Sequence, residues 1–177
     1  MQQKSKKHMK SLTPSLIAAL GLLVSLAGCA SFDRGTTQSV AIRSFPPDAK
    51  VYHNDSHVGQ TPMDLSLRRK VNHEIRLEKE GYHSAKKTIV PSPNEKSEGV
   101  VNFGPMEDLG YYVNLEPSEV ELKLKSKLVP GSPGSDPYDR MAKRVAKADE
   151  MLESGELTAE EHKYVVEQIL EFFERNN

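Results

Sequence analysis

Residues 44–62 read Ser44-Phe45-Pro46-Pro47-Asp48-Ala49-Lys50-Val51-Tyr52-His53-Asn54-Asp55-Ser56-His57-Val58-Gly59-Gln60-Thr61-Pro62. Two breaker groups, Pro46-Pro47-Asp48 and Gly59-Gln60-Thr61-Pro62, enclose a stretch with its own centre of turning at Asn54-Asp55. Both residues at that centre tolerate positive φ, which a tight hairpin turn requires. Lys50 to His53 reads as a strand entering the turn, and Val58 leads out of it into the second breaker. No helix fits this spacing, so the segment predicts short strands and close turns.

The same grammar extends outward on both sides. Upstream, residues 39–45 place Val40 and Ile42 on one face and Ala41 and Arg43 on the other, the period of two that marks a half-buried strand. Downstream, Leu65 alternates with Leu67 and Ile75 with Leu77; Glu80-Gly81-Tyr82 then turns the chain, and Thr88 to Val90 closes the set. Short strands at such intervals predict a small antiparallel β-sandwich.

Taken in order, Ser44, Pro46, Ala49, Val51, Gly59, Thr61, Pro62, Lys79, Gly81 and Tyr82 resemble the pattern of the PEGA domain. That pattern is a strand, a Ser-x-Pro-x-Gly-Ala turn, a hairpin, Gly-x-Thr-Pro and later Lys-x-Gly-Tyr. The resemblance covers about residues 39–90 and departs at Asp48 and Asp55, where the family favours glycine. Asp and Asn are the side chains that best accept left-handed backbone. The resemblance implies a β-module of bacterial envelope proteins, one that binds rather than catalyses.

Residues 91–99 are polar and read as a linker or long hairpin loop. Val100 to Gly104 and Leu109 to Val113 follow, then Leu115-Glu116-Pro117 and an alternating strand in Val120, Leu122 and Leu124. This region resembles the glycine-aromatic segment that follows PEGA domains in some small lipoproteins. It adds to the β-domain, or residues 100–115 dip into a membrane surface. Val129 to Ser135 is the strongest break, and Asp136-Pro137 then offers an N-cap and first helical position. Tyr138, Met141, Val145, Ala148 and Leu152 recur at helical spacing until Gly155, and Thr158 to Glu161 reads as a capping box. Val165, Ile169, Phe172 and Phe173 form the stripe of a second helix. The Gly155-Leu157-Thr158-Glu161 centre is similar to the SHOCT module, which implies association. That stripe packs on the β-domain, on a second copy, or on a partner, since so short a pair buries too little alone.

The amino terminus has a different logic. Lys4, Lys6, Lys7 and Lys10 precede an apolar run from Leu12 to Leu26 of about 15 residues, short of the roughly 20 that span a bilayer. Leu26-Ala27-Gly28-Cys29 then resembles the lipobox of bacterial lipoproteins. The resemblance implies cleavage between Gly28 and Cys29 and acylation of Cys29, with anchoring that needs two or more acyl chains. Ala30, rather than Asp, after the cysteine implies the outer membrane. The expected organisation is a signal peptide at 1–28, a tether at 29–38, a PEGA-like β-domain with an additional strand segment at 39–128, a linker at 129–135 and a helical hairpin at 136–175. The fold class is mostly β with α.

The formal charge of −1 hides four lysines in the removable leader; the rest is net acidic by about five charges. An acidic chain with no Trp lacks the basic face and stacking platform of a nucleic-acid binder. Cys29 is the sole cysteine, so no internal disulfide forms. There is no Gly-x-Ser-x-Gly elbow and no phosphate-cradling glycine loop. No catalytic residue, metal ligand or cofactor is assigned. His53, His57, His73 and His83 are the turn histidines on which an alternative, a metal-binding protein or envelope enzyme, would rest, with His53 and His57 flanking one turn. Arg68-Arg69-Lys70 is the compact basic cluster, solvated or facing an anionic lipid or glycan. The expected function is a non-catalytic, lipid-anchored binding or scaffold module facing the periplasm. It would bind peptidoglycan, polysaccharide or an envelope protein, with self-association through the hairpin and Val165, Ile169, Phe172 and Phe173 as the partner surface.

Overall fold

Eight strands and two long helices are built by this chain in a computed structural model that describes residues 36–99 and 104–176. Gly28 and Cys29 (the expected cleavage and lipidation positions), most of the tether and residues 100–103 lie outside the described residues.

The strands are β1 (Thr37–Phe45), β2 (Lys50–His53), β3 (Ser56–Gln60), β4 (Met63–Arg68), β5 (His73–Glu78), β6 (Ala85–Pro93), β7 (Val113–Glu116) and β8 (Glu119–Lys123). They form a three-stranded sheet, β4-β1-β8, and a five-stranded sheet, β3-β2-β5-β6-β7. Alternation places Val40 and Ile42 of β1, Leu67 of β4 and Val120 of β8 in the core, with Val51, Ile75, Leu77, Ile89 and Leu115 from the other sheet. The sandwich is not wholly antiparallel, because β8 lies parallel to β1, with Ile42 beside Val120 and Ser44 beside Leu122. The chain traverses the five-stranded sheet between β1 and β8 and re-enters at the far edge in the same direction. Antiparallel neighbours need only a hairpin, whereas this parallel pair spans most of the β-domain.

Two stretches are more ordered than their composition suggests. Residues 91–93 extend β6 instead of forming a linker, with Pro91 opposite Leu115 and Pro93 opposite Val113. A 3-10 turn at Glu95–Ser97 follows, capped by the Asn94 side chain, which accepts from the Lys96 N–H. Pro105–Asp108 forms one helical turn, α1, and β7 pairs with β6, so the described part of 100–115 is tied to the β-domain.

Helix α2 (Pro137–Glu153) and helix α3 (Ala159–Arg175) form the hairpin. Asp136 occupies the N-cap position of α2, but its side chain makes no capping bond. The expected apolar face shifts as well: Tyr138 and Leu152 are exposed, and Met151 packs against the core in place of Leu152. Helix α3 follows its sequence closely. The Thr158 hydroxyl accepts from the Glu161 N–H, and the Glu161 carboxylate accepts from the Thr158 N–H, the reciprocal capping box. Among the described residues no helix is long and apolar enough to cross a membrane.

Candidate functional site

The corner where β1 turns into β2 is built from the residues of the opening stretch. The Ser44 hydroxyl donates to the Pro46 carbonyl at 2.6 Å and meets the Thr61 hydroxyl at 2.6 Å. Thr61, almost fully buried, accepts the Ala49 N–H on its hydroxyl at 3.0 Å. Its backbone N–H donates to the Ala49 carbonyl, and its own carbonyl accepts the Asp48 N–H, both at 2.9 Å. Phe45-Pro46 and Thr61-Pro62 are both cis. Asp48 has φ of 60°, the left-handed conformation that favours glycine, and Asn54 and Asp55 are left-handed in the hairpin turn. Lys79 reaches back to donate to the Pro47 carbonyl at 2.8 Å.

This corner meets the helices. Lys79 pairs with Glu161 at 3.2 Å. Burial pushes the Glu161 carboxyl up, but the Thr158 N–H and then Lys79 outweigh it and hold it below its ordinary range. Tyr164 donates to the Leu124 carbonyl at 3.1 Å and packs edge-on against Phe45, with ring centres 4.7 Å apart. Gln168 donates to the Leu124 carbonyl and accepts the Ser126 N–H, and Arg144 donates to the Leu128 carbonyl. Residues 124–129 are therefore the surface on which the hairpin is seated. Val129 and Pro130 are buried, so the expected linker of 129–135 begins inside the fold.

Along this junction runs a cleft of about 1210 Å³, whose walls include Lys50, Lys79, Tyr82, His83, Lys127 and Glu161. The Tyr82 ring is in the core, and its hydroxyl has no hydrogen-bond partner in the protein. Burial, then the nearby Glu161 and Tyr164, push its pKa up. The cleft is lined by charges of both signs and selects no one ligand class.

The expected partner surface is located differently. Val165, Ile169 and Phe173 are 1%, 0% and 4% exposed, and Phe172 is half-buried with Lys125 above its ring. The stripe faces the chain's own core because α2 covers one side of it and the 124–129 segment the other. The hairpin instead exposes Tyr138 and Leu170, which line a shallow pocket of about 260 Å³ with Met141 and Phe173.

His53 and His57 do not converge. Adjacent strand residues point to opposite faces, and Tyr52, not His53, is the register partner of His57, with its ring 5.4 Å away. His53 turns to His73, with Nε2 and Nδ1 2.8 Å apart. Among the described residues no group of three or more His, Cys, Asp or Glu side chains is placed to hold a metal ion.

The basic cluster is partly structural. Arg69 donates to the Thr37 and Val113 carbonyls and to the Gln38 and Asn114 side chains. Gln38 in turn exchanges two bonds with the Leu115 backbone, so β1 and β7 are stitched across the gap between the sheets. Lys70 pairs with Glu107, whose carboxyl it holds below the ordinary range. The Gln38 and Arg69 roles carry no periodic signal in the sequence.

Residues 37–105 match the PEGA domain family. The matched stretch contains the Ser44-Thr61 corner, Lys79 and Tyr82. It extends beyond the residues that carry the resemblance, to the start of α1. No curated protein and no solved structure matches the chain.

Proposed function

We propose that this chain is a non-catalytic, lipid-anchored lipoprotein of a bacterial cell envelope, held by Cys29 in the outer membrane and facing the periplasm. Its β-domain is a binding or scaffold module for peptidoglycan, polysaccharide or another envelope protein. The observation that carries the binding role is the match of residues 37–105 to the PEGA domain. The polar groups of the family pattern support it: Ser44, Thr61 and Lys79 are hydrogen-bonded within the fold. Those residues shape a module and leave recognition to its surface. The lipid anchor is supported by Leu26-Ala27-Gly28-Cys29 behind a basic and apolar leader.

Self-association, where it occurs, uses the Tyr138 and Leu170 face and not the buried stripe. In-cell crosslinking of the full chain, with mass spectrometry of what is captured, tests the reading. Capture of one envelope component at defined surface residues supports a binding module. Leu170→Glu separates the surfaces, since capture lost in that variant belongs to the hairpin and capture retained belongs to the β-domain. Crosslinks no more specific than those of an unrelated lipid-anchored domain would overturn the binding role.

A further inference from the structure

His73 opens β5 and is 3% exposed, and its Nε2 lies 2.8 Å from the Arg68 carbonyl at the end of β4. A carbonyl only accepts, so Nε2 carries a proton and, in the neutral ring, Nδ1 is an acceptor. That acceptor is 2.8 Å from His53 Nε2 at the end of β2, so His53 donates from Nε2. The resulting chain of bonds runs in one direction, from His53 to His73 to the Arg68 carbonyl. It joins two central strands of the five-stranded sheet to β4, an edge strand of the other sheet.

We propose that the His53–His73 pair is an acid-sensitive latch between β2 and β5 at one end of the five-stranded sheet, closed while the pair holds no more than one added proton and opened by the second. One added proton leaves both bonds in place whichever ring carries it, because one of the two facing nitrogens still accepts. The second puts a proton on both facing nitrogens. Two N–H groups and two positive charges then face each other across one hydrogen-bond length, and the bond is lost.

The surrounding charges do not relieve this. Asp55, in the β2–β3 turn, pairs with Arg76, and Glu74 of β5 pairs with Lys86 of β6, all on the outer face of the sheet. Glu107 of α1 is held by Lys70 beyond the β4–β5 turn. His57 of β3 lies on the Tyr52 face. Arg68 on β4, Arg69 in the turn, and Lys87 of β6, the register partner of Ile75 on the inner face, are cationic. Burial first, and the facing His73 second, hold His53 below its ordinary pKa. In the unfolded chain both rings take protons near the usual value of about 6.5. The folded chain thus binds fewer protons than the unfolded one below that pH, and its stability falls as pH falls.

Imidazole nitrogen NMR on the full chain in detergent micelles, from pH 8 to pH 5, reads the latch directly, with amide exchange measured alongside. At pH 8 both rings should show the Nε2–H tautomer. The pair should then titrate in two separate steps. Protection of the Asn54 amide, which donates to the Glu74 carbonyl beside the pair, should be lost over that second step. His53→Gln supplies an amide donor to His73 that takes no proton, and protection in that variant should persist to lower pH. Mixed tautomers, a single titration step for the pair, or unchanged acid loss of protection in His53→Gln would each overturn the latch. Should the variant fail to fold, the tautomers and steps of the unmodified chain still decide.

Discussion

Asp48 and Thr61 hold one corner of the β-domain by opposite means, one by backbone conformation and the other by side-chain bonding. Asp48 is left-handed and gives its N–H to the Thr61 carbonyl. Asp48→Gly should therefore leave stability unchanged or raise it, whereas Asp48→Ala should cost about 1 kcal/mol, since Ala keeps the β-carbon but loses the short polar side chain that lets Asp accept left-handed backbone. Chemical denaturation of the two variants checks the order. Thr61→Val keeps the shape but strips the acceptor from the buried Ala49 N–H, which should cost about 1–3 kcal/mol. Tyr82→Phe should go the other way, with a melting temperature equal to or above that of the unmodified chain, because only an unpaired hydroxyl is lost. The Thr61 and Tyr82 positions are visible in the sequence as family residues. Whether each hydroxyl bonds is not, because that depends on neighbours 12 or more residues away.

At the scale of elements, local pattern and distant pairing separate cleanly. Alternation around Val40, Ile42, Ile75 and Leu77 and the Thr158–Glu161 capping box belong to single elements, and both are legible in the chain. The parallel β1–β8 pair and the extension of β6 through Pro91 and Pro93 depend on partners far along the chain, so composition alone reads 91–99 as a loop. The helix stripe was legible as apolar, but what it covers was not. Glu161 joins these levels as both the N3 residue of α3 and the ion-pair partner of Lys79. Its folded pKa lies below the ordinary 4.5, so its stabilising contribution is present above that pH and disappears as pH falls below it. Thr158→Ala should cost about 1 kcal/mol at pH 7. Lys79→Met should flatten the loss of stability on acidification below pH 4.5, measured by thermal melts across pH.

For the whole molecule, hairpin and sandwich share one hydrophobic core, in which Val165, Ile169 and Phe173 join Leu124, Val129 and the strand residues. Truncation after Pro133 should therefore lower the melting temperature of the remaining β-domain by several degrees instead of releasing an independent tail. The β-module and hairpin were each legible because each is written in contiguous residues. The seating of the hairpin on 124–129 was not, since it is made by Tyr164 and Gln168 bonding backbone groups 40 and more residues away. The proposed acylation of Cys29 would place this module at the envelope. The direct measurement is metabolic labelling with a palmitate analogue, comparing the full chain with Cys29→Ser after separation of inner and outer membranes. Label on the unmodified chain in the outer-membrane fraction, and its absence from Cys29→Ser, is the predicted result. An unlabelled chain, or equal label on both, would contradict the lipid anchor.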